Sequence, residues 1–168
     1  GDATVSGNAV VDGDAWVSGD ATVSGNAKVF GNAKVFGNAE VFGNAVVFGD
    51  AWVGENAEVF GNACVYENAK VSGEAEVYGN TTISGNAVVR GNADFIVFKN
   101  WWSSGRYFTW TRSNNKWKVG CFMGTGEELI AKAYKDSEKS GREYERVVKY
   151  VNDILKEEDN DNGNRNKC

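Results

Sequence analysis

Small, aliphatic and polar positions recur along the first 95 residues with a period of six. Alanine holds every sixth position from Ala3 to Ala93, interrupted only by Thr81, and an aliphatic follows two residues later from Val5 to Val89, Ile83 included. A third column is glycine from Gly1 to Gly91, except at Glu55 and Glu67, and Asn, Asp or Glu74 always comes next. The unit is therefore Gly-Asn-Ala-x-Val-x. Residues two apart on an extended chain point the same way, so Ala and Val face one interior and the residue between them faces water. Gly-Asn supplies a corner, because glycine tolerates positive φ and asparagine hydrogen-bonds locally. One short strand per corner predicts a three-sided coil of about 18 residues, and a stack of about five coils would be roughly 25 Å long at the spacing of hydrogen-bonded strands. Each coil pairs its backbone with the next, so such a stack needs its ends covered.

Residues 18 apart then lie above one another in ladders. Asn8, Asn26, Asn44, Asn62 and Asn80 form one column, and stacked side-chain amides stabilise such arrays. Phe30, Phe48 and Tyr66 form a second column, and Phe42, Phe60 and Tyr78 a third. They follow the inward valine and so belong at outward corners, where an apolar stripe marks an edge for self-association as a dimer or trimer. The competing reading is that the rings brace neighbouring coils. Thr4, Thr22, Glu40, Glu58, Glu76 and Asp94 make a further column. Its acids, spaced about 5 Å apart, repel one another and read as a solvated face, with a cation or a basic partner as the alternative.

This unit resembles that of the hexapeptide-repeat proteins, whose small-x-aliphatic-x-x-x repeats form left-handed parallel β-helices. The resemblance covers residues 1–95 and implies an all-β left-handed parallel β-helix there. The acyltransferases and γ-type carbonic anhydrases of that family use histidines, and the acyltransferases often carry loop insertions between coils. This chain has no histidine and no insertion in its sixteen units, so no catalytic residue is carried over from the family. A diverged, inactive acyltransferase-like protein is the reading that remains on that side.

After Phe95 the period stops. Residues Arg106 to Arg112 alternate, Ser113 to Lys116 supply a turn, and Trp117 to Phe122 read as a return strand. A two-residue loop at Asn114-Asn115 would set Arg112 opposite Trp117, Trp110 opposite Val119 and Phe108 opposite Cys121, gathering an apolar side that buries Cys121. Thr125-x-x-Glu128 and Ser140-x-x-Glu143 match the capping box of helix starts. The helices that follow present Leu129, Ile130, Ala133 and Tyr134, then Tyr144, Val147, Val148, Val151, Ile154 and Leu155, at three-four spacing. Residues 96–156 are thus expected to form a small α+β module, a β-hairpin plus two helices, that caps the β-helix and serves binding. The polar stretch 157–168 is expected to be disordered.

Charge separates the halves: residues 1–93 hold 11 acids and 4 bases, whereas residues 95–126 hold five bases and no acid. The acidic half would repel nucleic acid. In the basic stretch Trp101, Trp102, Arg106, Tyr107, Arg112, Lys116 and Lys118 are the candidate partner- or ligand-binding residues, since rings stack on planar groups and cations hold phosphates. Without histidine the commonest general base and metal ligand is missing. The three cysteines, Cys64, Cys121 and Cys168, suit neither a disulfide framework nor a four-cysteine zinc site. No metal, cofactor or catalytic residue is expected, and a reducing compartment is. No apolar run reaches the roughly 18 residues of a membrane span, and the opening Gly1-Asp2-Ala3 shows no signal segment.

The run from Trp117 to Thr125, with Ser140-Gly141-Arg142-Glu143-Tyr144 behind it, resembles a tail that follows hexapeptide repeats in bacterial and phage or prophage proteins labelled polymer-forming or cytoskeletal-like. The resemblance implies a cytoplasmic protein in a bacterial host cell. The expected function is a non-catalytic scaffold that self-associates through its β-helix and binds a partner protein, in concrete form a phage- or prophage-encoded inhibitor of a bacterial enzyme or defence complex. The alternative from a different class is a nucleotide or small-ligand binder.

Overall fold

The computed structural model describes residues 1–165. Fifteen two-residue strands, from β1 (Thr4–Val5) to β15 (Val88–Val89), recur every six residues. Every third one pairs in parallel, Thr4 with Thr22 and Val5 with Val23, so that three five-stranded sheets form the sides of a parallel β-solenoid of five coils. The interior is built from the alanine and valine columns: from Ala21 to Val89 they are fully buried apart from the traces at Val71 and Thr81. Corner glycines take the left-handed conformation, for example Gly19 at φ +71°, where an added Cβ would also stand 2.8 Å from the Gly37 carbonyl oxygen. Glu55 and Glu67 adopt φ of 59° and 58°, and each carboxylate accepts the backbone N–H of a glycine one coil on, Gly73 and Gly85, at 2.6 Å. That charge-assisted bond offsets the strain of a left-handed glutamate.

Side-chain amides reinforce the corners. Asn8 donates to Asn26, Asn26 to Asn44 and Asn44 to Asn62, each at 3.2 Å. A second column runs Asn38 to Asn56 to Glu74, both links at 2.9 Å.

The backbone ladder has a defined end. In every coil but the last, the outward-facing residue of each strand donates its N–H to a carbonyl one coil on, as in Glu58 to Ala75, Cys64 to Thr81 and Lys70 to Ala87. The last coil has no successor, and side chains replace it. Glu76 N–H donates to Asn92 Oδ1 at 2.9 Å, Thr82 N–H to Thr109 Oγ1 at 3.3 Å and Val88 N–H to Ser113 Oγ at 2.7 Å. A 3-10 turn, Asn92–Asp94, leads into this cap.

The cap is a four-stranded antiparallel sheet in sequence order: β16 (Phe95–Lys99), β17 (Tyr107–Thr111), β18 (Lys116–Val119) and β19 (Phe122–Gly124). One side, with Thr109 and Phe95, lies on the last coil. The other, with Ile96, Phe98, Phe108, Trp110, Trp117, Val119 and Phe122, packs on two helices, α1 (Gly126–Asp136) and α2 (Glu138–Arg165). The expected hairpin is therefore part of a larger sheet. It is also offset: Trp110 faces Trp117 and Thr111 faces Lys116. Four residues form the loop because its side chains are used as fasteners, Thr111 Oγ1 meeting Asn114 Oδ1 at 2.6 Å and Trp110 Nε1 donating to Asn115 Oδ1 at 2.9 Å. The offset of two residues keeps the same side chains on the same side. Gly120, at φ +56°, turns the chain tightly, so Val119 pairs with Phe122 and Cys121 is exposed at the turn rather than buried opposite Phe108.

Thr125 and Glu128 form the expected capping box of α1, with bonds of 3.2 and 2.7 Å. The second helix starts three residues before the expected place, with Ser137 Oγ accepting the Ser140 N–H at 3.1 Å. It does not stop at residue 156 but continues to Arg165, through the stretch expected to be disordered. Cys168 lies outside the described residues. Among the described residues no helix is long and apolar enough to cross a membrane.

Thr109 is only 1% exposed, so Thr109→Val would keep its shape while leaving the Thr82 N–H without an acceptor. A loss of about 1–3 kcal/mol in denaturant unfolding is expected, against less than about 1 kcal/mol for Ser113→Ala, whose site water can reach.

Candidate functional site

The three sides of the solenoid differ in the residue between alanine and valine. One side presents Thr4, Thr22, Glu40, Glu58 and Glu76 in register. Asp94 does not extend this column. It turns back into the 3-10 segment, where its carboxylate accepts the N–H groups of Arg90 and Gly91 at 2.7 and 3.2 Å. Among the described residues no three His, Cys, Asp or Glu side chains come together as a metal site.

A second side presents Trp16, Lys34, Trp52, Lys70 and Val88. The ammonium groups of Lys34 and Lys70 stand 5.2 and 4.9 Å from the Trp52 ring centre, a cation–π sandwich across three coils. Sequence reasoning missed this column, although its members are 18 residues apart.

The third side presents Val10, Lys28, Val46, Cys64 and Thr82. Both of its corners carry ring stacks. Phe30, Phe48 and Tyr66 lie nearly parallel at 5.1 and 4.8 Å. Phe42, Phe60 and Tyr78 do the same at 4.8 and 5.4 Å. The predicted aromatic columns thus exist as continuous stacks, partly exposed, with Val46 and Cys64 between them. Burial pushes the Cys64 thiol above its ordinary pKa, which keeps it protonated and unreactive.

This side ends beneath the cap. A depression of about 430 Å³ is walled by Phe48, Cys64 and Tyr66 from the solenoid and by Arg106, Tyr107 and Lys118 from the sheet. Lys118 lies 5.4 Å over the Tyr66 ring. The structure therefore unites three of the seven predicted binding residues with one of the aromatic edges. The sequence holds no signal for that meeting, because it follows from how the sheet docks on the last coil.

The other four are placed elsewhere. Trp101 is 70% exposed on the loop between β16 and β17. Trp102 is only 8% exposed, edge-on to Tyr144 at 4.9 Å in the core, so it is removed from the binding set. Arg112 is engaged: it donates to both Glu158 oxygens, at 2.6 and 3.2 Å, and to the Ala93 carbonyl. Lys116 sits beside Glu128, whose carboxyl is held below the usual range first by the Thr125 N–H and also by the Lys116 charge. What converges at the junction is a set of rings, a protonated thiol and two cations, suited to stacking and to contact with anionic groups.

No family model matches the chain, and neither the curated proteins nor the solved structures give a match.

The Arg112 pair gives a direct check on this placement. Its hydrogen bonds lower the Glu158 pKa, so the Glu158 carboxyl carbon should titrate below the ordinary glutamate range by NMR, and Arg112→Gln should return it there. An ordinary midpoint in the unmodified protein would leave Arg112 free for a ligand.

Proposed function

We propose that this protein is a non-catalytic scaffold that self-associates along the solenoid side edged by the two aromatic stacks and presents its cap to a partner protein. The observation that carries this reading is the pair of partly exposed three-ring stacks flanking Val46 and Cys64. Apolar strips of this kind on a rigid framework mark interaction surfaces, and aromatic rings are enriched in interface cores. Strands linked across coils hold the strips straight, so little ordering cost accompanies association. The occupant proposed is a second copy of the chain, since a self-complementary patch closes into a dimer under two-fold symmetry.

The partner-binding half rests on the exposed Trp101 and on Tyr107 with its neighbouring cations, and its concrete form rests on the tail resemblance. A phage- or prophage-encoded inhibitor acting by steric occupation of a bacterial enzyme or defence complex is consistent with a rigid acidic column carrying a basic end.

Val46→Glu tests the assembly without endangering the fold, because Glu40 already occupies the same place in the same coil on another side. Sedimentation equilibrium should show a dimer for the unmodified protein and a monomer for the variant, with unchanged circular dichroism. A monomer at every concentration of the unmodified protein contradicts the reading.

A further inference from the structure

A second cavity shares Arg106 and Gly120 with the aromatic-edged depression, but its construction differs. Its volume is about 630 Å³, within the range of small-ligand sites. Arg106 from the β16–β17 loop, Lys132 from α1 and the turn residues Gly120 to Phe122 line it, and among the described residues no carboxylate does. Asp136, at the end of α1, acts electrostatically on Tyr144.

The walls are held by buried polar groups. Asn100 is 5% exposed and Tyr144 6%. Asn100 fastens the loop that carries Arg106: its N–H donates to the Arg106 carbonyl at 2.8 Å, and its side-chain oxygen accepts from the Ser103 N–H and hydroxyl, both at 3.0 Å. Its side-chain amide donates to the Tyr144 oxygen at 3.1 Å. Tyr144 is thereby an acceptor towards Asn100 and keeps its own proton to donate. Burial raises its pKa, so that proton is retained across the physiological range. Two cations and a phenol donor therefore line one cavity together with the apolar Phe122.

We propose that this cavity binds a small phosphate ester carried on a planar ring, of mononucleotide size, with Arg106 and Lys132 holding the phosphate, Tyr144 donating to it and Phe122 supporting the ring. Arginine matches phosphate with paired N–H donors and lysine adds a point charge. Their long range attraction is unopposed by any lining acid, although the chain as a whole is acidic. The proposal is independent of self-association, because none of these residues lies on the solenoid.

Isothermal titration of the full chain with AMP, adenosine and inorganic phosphate tests it. AMP should bind more tightly than either fragment, and Arg106→Gln and Lys132→Gln should each weaken it by about tenfold or more. Tyr144→Phe should weaken it as well, while Lys28→Gln, a cation on the solenoid, should not. Val46→Glu should leave AMP binding intact, which separates this site from the assembly surface. Absence of heat and of thermal stabilisation at about 5 mM AMP overturns the proposal. So does equal binding of adenosine, equal binding of inorganic phosphate, or indifference to the two charge removals.

Discussion

The coil-to-coil backbone hydrogen bond is the interaction on which the structure depends. Each solenoid strand, β1 to β15, contributes only two residues, too few to persist alone. Stacking makes every strand part of a five-stranded sheet, and the buried alanine and valine columns fix which residue faces inward. The same periodicity creates the problem that the C-terminal half solves, since a ladder of donors must end somewhere. Asn92, Thr109 and Ser113 supply one acceptor for each side. The last turn is thus closed by a side-chain acceptor on all three sides.

Once the interior is assigned, the outward residue of each unit is free to vary, and the three sides have separate chemistries. An acidic column, a tryptophan–lysine column and an apolar side with ring-stacked corners share one framework. This is how a repetitive chain can carry several surfaces without any insertion between coils. The cap adds cations at the one end where the apolar side finishes, so Arg106, Tyr107 and Lys118 meet the aromatic edge in one depression.

The solenoid was legible because its six-residue rhythm admits few alternatives: the aromatic and asparagine columns follow from counting 18 residues along the chain. The cap was legible only in part. Alternation between Arg106 and Arg112 identified the correct buried side, since a two-residue offset leaves side-chain direction unchanged. It could not show that Asn114 and Asn115 hold strand residues with their side chains, or that Gly120 turns the chain away from Phe108 and exposes Cys121. Trp102 and Arg112 looked available because an aromatic and a cation in a basic stretch carry no mark of burial. Their partners, Tyr144 and Glu158, are 42 and 46 residues away on a helix whose last turns read as too polar to form.

Stacking in register of residues 18 apart sets the structure. It is tested by deleting residues 38–55, which joins Gly37 to Asn56 and preserves every column, beside a deletion of residues 38–54, which breaks the period by one residue. Thermal unfolding followed by circular dichroism should show the first variant folded with a moderately lower midpoint, as expected when one repeat and one interface are lost, and the second severely destabilised. Equal tolerance of both deletions, or equal loss of structure, would contradict the account.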